Sequence, residues 1–68
     1  MADYADRIKQ LRERKRISRK TLSELCGLNK EAVRRYERRE RVPNIEAMIN
    51  LADYFDVSLD YLSGRTNF

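Results

Sequence analysis

Ile17-Ser18-Arg19-Lys20-Thr21-Leu22-Ser23-Glu24-Leu25-Cys26-Gly27-Leu28-Asn29-Lys30-Glu31-Ala32-Val33-Arg34-Arg35-Tyr36-Glu37-Arg38 is the stretch whose reading decides the fold. Twice within it a polar residue sits between two apolar residues five apart: Ser18 between Ile17 and Leu22, and Asn29 between Leu28 and Val33. That is the spacing of a hydrophobic staple around an N-cap. Leu22, Leu25 and Cys26 then recur at i, i+3 and i+4, the spacing of one helix face. Gly27 can take the left-handed conformation that ends a helix. The link Gly27-Leu28-Asn29 is short, which suits two helices crossing steeply rather than lying antiparallel. On that geometry Leu22 and Cys26 face inward from the first helix and Val33 and Tyr36 from the second. Leu28 fills the corner, and Ser23 is small because the helices cross beside it.

Outward from this stretch the same signals repeat. Tyr4, Ile8 and Leu11 form a helical stripe, as do Ile45, Met48, Ile49, Ala52 and Phe55. Val57-Ser58 before Leu62 is a third staple, and Asn44 after Pro43 is a further candidate cap. Pro43 forbids a helix through Arg41-Val42, and Gly64 closes the last element. No useful segment alternates with period two. The reading is therefore all-α: a single domain over 1–68, built as a compact bundle of five short helices. They are placed at about 3–15, 19–26, 30–39, 45–55 and 59–63, with a central helix-turn-helix at about 18–38.

Composition removes several function classes. Histidine is absent, and with it the commonest general base and metal ligand. One cysteine permits neither an intramolecular disulfide nor a thiolate zinc cage. Cys26 lies on the apolar face and reads as a small buried hydrophobe. No residue set supplies base, nucleophile and oxyanion stabiliser together, so an enzyme is not expected. Neither a metal nor another cofactor nor a small-molecule ligand is implied. No apolar run approaches a membrane span, and the acidic start Met-Ala-Asp-Tyr-Ala-Asp lacks an apolar signal region. A cytoplasmic protein without a membrane partner is the expectation. Charged residues make up 38%, yet Leu, Ile, Val and Phe number 16 of 68, above the floor of roughly 20% for disordered chains.

The charge is unevenly placed. Residues 1–41 hold 14 of the 15 basic residues and 7 of the 11 acidic ones, a net of +7. Residues 42–68 hold Arg65 against 4 acids, a net of −3. Such asymmetry fits a nucleic acid, an anionic membrane or an acidic protein as partner.

The ordered set Arg7-Ile8-Lys9-Gln10-Leu11-Arg12, Ile17-Ser18 with Leu22, Gly27-Leu28, Val33 with Tyr36-Glu37, Pro43, and Val57-Ser58-Leu59-Asp60-Tyr61-Leu62 resembles the lambda-repressor-like (Cro/cI-type, xenobiotic-response-element) helix-turn-helix DNA-binding domains. The resemblance runs from Arg7 to Gly64. It departs from the family pattern at four places: Arg19 for the usual Gln, Ser23 for Ala, Arg39 for Gly after the recognition helix, and Lys30-Glu31 for small polar residues.

The resemblance implies a double-stranded DNA operator as partner, with the recognition helix 30–39 in the major groove. It makes Lys30, Glu31, Arg34 and Arg35 the base-contacting candidates; Arg and Lys match guanine O6 and N7, and Glu can accept from cytosine N4. It makes Ser18, Arg19, Arg38, Arg39, Arg41 and Asn44 phosphate-contacting candidates, which set register and affinity without reading sequence. The alternative for Ser18 and Asn44 is capping alone, and for Arg39 and Arg41 an exposed turn. Arg12 and Glu37 match an ion pair between the first and third helices; the alternative is two independent surface charges. A homodimer on DNA is implied, with Val57, Leu59, Leu62 and Phe68 as candidate interface, although Val57 and Leu62 could instead belong to the core. The function implied is a transcriptional regulator, most simply a repressor on an inverted-repeat operator. The alternative is an antitoxin-type or other protein-interaction module on the same fold.

Overall fold

Four helices begin on a side chain that the local sequence supplies. In the computed structural model, which describes residues 2–68, these are α1 (Tyr4–Arg14), α2 (Arg19–Leu25), α4 (Ile45–Phe55) and α5 (Leu59–Ser63). Asp3 accepts from the Asp6 N–H at 3.1 Å while the Asp6 carboxylate accepts from the Asp3 N–H at 3.2 Å, a reciprocal capping box. Ser18 accepts from the Thr21 N–H, Asn44 from the Ala47 N–H and Ser58 from the Tyr61 N–H, at 3.0, 2.8 and 3.0 Å. Each satisfies a donor that a helix start leaves orphaned.

The remaining helix, α3 (Ala32–Glu37), is different. The spacing puts its N-cap at Asn29 and its first turn at Lys30, but the helix starts two residues later. Asn29 instead closes a turn: its side-chain oxygen accepts from the Glu31 N–H and its carbonyl from the Ala32 N–H, both at 2.9 Å. Asn is suited to such local side-chain-to-backbone bonds. Lys30 and Glu31 therefore lie in the turn that enters α3, and Glu31, at the N-cap position, makes no side-chain cap bond.

Among the described residues, helix exits use the left-handed region five times, at Gly27 and Gly64 and at three residues with a Cβ. Arg16, Arg39 and Asp56 adopt it at φ of 56°, 60° and 57°, a conformation unfavourable by about 1–2 kcal/mol for a residue with a Cβ. At Gly64 a glycine is required twice over, since φ is +87° and a Cβ would collide with the Ala2 carbonyl oxygen. The turn after α5 is thereby packed against the start of the chain.

The core gathers Ile8 and Leu11 of α1, Leu22 and Cys26 from α2, Val33 and Tyr36 of α3, Ala47, Leu51, Ala52 and Phe55 of α4, and Leu62 of α5. Each large member contributes about 1.5–3 kcal/mol by leaving water. Helix α3 packs on α1 and α2, and α5 packs on α1 and α4. Two sequence stripes differ in detail. Leu25 is 57% exposed, and Ile45 and Ile49 are 70% and 42% exposed. Helix α4 is apolar around most of its circumference, so periodicity alone cannot select a face. Its packing turns Ala47, Leu51, Ala52 and Phe55 inward and leaves the two isoleucines out. Among the described residues no helix is long and apolar enough to cross a membrane.

Candidate nucleic-acid interface

Helix α3 has an inner and an outer face, and the inner one is held by side chains from elsewhere. Val33 is fully buried and Tyr36 nearly so. Against this inner face lies Ser23 of α2, also fully buried, whose hydroxyl donates to the Arg19 carbonyl at 2.8 Å and accepts from the Val33 N–H at 3.1 Å. Ser23 is thus more than a small residue at a crossing. It supplies from α2 a hydrogen bond that α3 lacks from its own cap. An alanine could fill the space but not make the bond.

At its far end α3 is pinned by Glu37. Arg12 Nε and Nη2 donate to the two Glu37 carboxylate oxygens at 2.7 and 3.1 Å, and Nη1 donates to the Ile17 carbonyl at 3.0 Å. The Glu37 side chain is 5% exposed and that of Arg12 is 13%. Two parallel charge-assisted bonds in this setting fix direction as well as energy. Glu37 hydrogen bonding raises the Arg12 pKa above its ordinary value, so the guanidinium stays charged. One arginine thereby connects α1, the α1–α2 link and α3.

The outer face carries the charges. Lys30, Arg34, Arg35 and Arg38 are exposed and Glu31 is half-buried. Two shallow grooves flank α3. Ser18, Arg19, Lys20, Lys30, Glu31 and Arg34 line one. Asn29, Arg35, Arg41 and Asn44 provide the polar lining of the other, with Leu28, Ala32, Tyr36 and Val42 as its apolar part. Lys20 and Asn29 were not among the sequence candidates. Only their places in the folded chain put them beside Lys30 and Arg35.

Three outer arginines are partnered to different degrees. Arg34 lies 3.4 Å from Glu31 and Arg38 lies 3.1 Å from Glu40, both exposed pairs of the kind that contribute little to stability. Arg39, a phosphate candidate in the sequence, is the most extensively paired of the three. Its Nε and Nη2 donate to the two Asp3 oxygens at 2.9 and 3.0 Å, and Nη2 also donates to Asp6 at 3.0 Å. The left-handed backbone at Arg39 turns its side chain toward the start of α1, so its guanidinium is occupied. The Arg39 hydrogen bond holds the Asp3 carboxyl below the usual aspartate value. Sequence spacing gave no signal for this pairing, which joins residues 36 and 33 apart.

Of the other candidates, Ser18 and Asn44 each use their side-chain oxygen as a cap, as described. Cys26 is buried, and burial pushes its thiol pKa up. Asn50 of α4 donates to the Cys26 carbonyl at 3.2 Å and so ties α4 to the end of α2. Arg7, absent from the candidates, is buried. It stacks on the Tyr61 ring at 4.0 Å and donates to the Tyr61 carbonyl and the Asn67 side chain. Of the candidate dimer residues, Leu62 is a correction, because it is fully buried and presents nothing to a partner. Val57 is half-buried against the core, whereas Leu59 is 37% and Phe68 94% exposed.

The helix-turn-helix family model matches residues 8–62. The HTH-type transcriptional regulator AnsR of Bacillus subtilis is 40% identical over 60 residues, covering 88% of this chain and 52% of that protein. The chain spans about half the length of the curated Bacillus subtilis relatives it matches. Among solved structures, the P22 c2 repressor in complex with a synthetic operator superposes with a TM-score of 0.86 at 28% identity, over 93% of this chain and 96% of that one. The N-terminal DNA-binding domain of SinR from Bacillus subtilis gives 0.80 at 32% identity, over 87% of each.

Proposed function

This chain belongs to the helix-turn-helix family, with the lambda-repressor-like arrangement of five helices, and from that premise we propose that it is a sequence-specific double-stranded DNA-binding regulator. The family is one of transcriptional-regulator domains and not of enzymes. The observation that carries the reading is the two-sidedness of α3. Its inner face is locked by Ser23 and Glu37, while its outer face holds Lys30, Arg34 and Arg35 between two grooves lined by further cations and amides. A base-reading element has to be rigid on one side and polar on the other.

Lys30, Glu31, Arg34 and Arg35 are the base-contacting residues of this proposal. Ser18, Arg19, Arg38, Arg41 and Asn44 contact phosphate. The protein acts as a repressor, bound as a homodimer to an inverted repeat and obstructing polymerase. The longest dimension of the chain is 28 Å, shorter than the roughly 34 Å between half-sites one turn apart, which supports one chain per half-site. Leu59 and Phe68 are the exposed apolar residues offered to the second copy.

Selection of bound sequences from a random duplex pool tests this. The expected product is a G·C-containing inverted repeat. Arg35→Ala should relax the preference at one position at a cost of about 1–3 kcal/mol, and Arg41→Ala should weaken all sequences about equally. An unselective pool, or unchanged selectivity in Arg35→Ala, overturns the assignment. An antitoxin-type protein-interaction role is the second reading, and the exposed Leu25, Ile45 and Ile49 favour it. A shallow salt dependence of binding would speak for it, against the steep one that phosphate contacts impose.

A further inference from the structure

Among the cations around the end of α3, Arg39 stands apart. Arg38 and Arg41 on either side are exposed, Arg38 with a single contact to the likewise exposed Glu40 at 3.1 Å. Arg39 is also half-exposed, yet it is bound by three hydrogen bonds of 2.9–3.0 Å to two carboxylates. The carboxylates are themselves fixed. Asp3 and Asp6 form the reciprocal capping box of α1, so they do not follow Arg39 if it swings away. Asp3 is further held by the turn after α5, where Gly64 comes so close to Ala2 and Asp3 that no side chain fits. Tyr4 adds a bond from its hydroxyl to the Arg41 carbonyl at 3.3 Å. The start of α1 is therefore a rigid acidic abutment against the loop that leaves α3.

We infer that Asp3 and Asp6 are positioning residues of the DNA interface: they hold Arg39 back from the phosphate backbone and so limit the affinity of this loop for any DNA. The inference rests on the proposed DNA-binding reading. A cation that reaches phosphate adds sequence-independent affinity and salt dependence, about 0.9 in the log–log slope per phosphate neutralised. With Arg39 held, the loop offers Arg41, and Arg38 once it leaves its one exposed contact to Glu40, but no third charge.

The test is a double-mutant cycle read by fluorescence anisotropy on a mixed-sequence duplex. Asp3→Asn with Asp6→Asn keeps an N-cap of equal quality, so α1 should persist by circular dichroism. The released Arg39 should tighten binding and steepen the salt slope by about 0.9. The gain should then grow roughly threefold between about 200 and 50 mM salt. In an Arg39→Gln background the same two substitutions should leave the slope unchanged. A gain of equal size in that background would mean that the acids act only through their field, and overturns the inference. No gain in either background overturns it too, because the pair then opens on DNA unaided. In both cases the wild-type chain still binds duplex DNA; if it binds none, the DNA-binding reading itself falls.

Discussion

Helices α3 and α4 begin four-square with one another in the chain's grammar, a polar residue ahead of an apolar stripe, yet they are held by opposite means. Helix α4 has eleven residues, its own cap in Asn44 and a broad apolar face in the core. Helix α3 has six residues and no side-chain cap of its own. What it lacks locally comes from far away: Ser23 from α2, Arg12 from α1, and the Asp3–Arg39 contact at its exit. An isolated helix of six residues is far below the length that is stable in water. The element proposed to read DNA is thus a short helix that cannot stand on its own local signals and is held by residues brought from other helices. Its outer face is thereby free to carry charges that its own stability does not depend on.

The comparison predicts where the molecule breaks. The largest effect is at Glu37. Glu37→Gln leaves the Arg12 charge poorly solvated without its counter-charge and should cost about 3 kcal/mol, seen as a fall in Tm. Replacing both partners by Met should recover much of that loss, since apolar pairs of similar size often substitute for buried ions. If Glu37→Gln cost no more than a surface substitution, α3 would not depend on that pair.

The next effects separate the two kinds of helix start. Ser23→Ala strips the Val33 N–H of its buried partner and should cost about 1–2 kcal/mol. Asn44→Ala removes an ordinary cap and should cost about 1 kcal/mol. Hydrogen exchange sharpens the contrast: Val33 should lose protection in the first variant and Ala47 in the second. Loss at Ala47 in Ser23→Ala would mean that the two helices open together.

Acid gives the smallest effect. The Asp3 carboxyl lies below its ordinary value because Arg39 donates hydrogen bonds to it. Its contribution is present above the ordinary value of about 3.9 and is lost as pH falls through the lowered folded value. The exit of α3 should loosen in that range, whereas the Asn44 cap has no proton to gain. An NMR titration should find Asp3 moving toward its ordinary pKa in Arg39→Gln; no movement would deny the contact any role in solution.

The α4 and α5 bounds, the Ser18, Asn44 and Ser58 caps, and the Gly27 and Gly64 stops were all legible in the sequence. Each depends on residues within five positions of one another, and such interactions leave a pattern in the chain. The inward set Leu22, Cys26, Val33 and Tyr36 was legible for the same reason, since a short link leaves little choice of crossing. The stripe of α4 was not, because Ile45-Glu46-Ala47-Met48-Ile49 offers two apolar faces and only packing chooses between them.

The candidate interface divides along the same line. The sequence by itself determined that a basic helix follows a short turn, and which residues of that helix carry charge, because helical periodicity separates Arg34 and Arg35 from Val33 and Tyr36. Tertiary structure alone decided which charges are available. It buries Leu62, spends Arg39 on Asp3 and Asp6, brings Lys20 and Asn29 into the flanking grooves, and makes Ser23 the hydrogen-bond acceptor for the start of α3. Those outcomes depend on groups brought within about 3 Å across many residues of chain, and no local preference encodes that proximity.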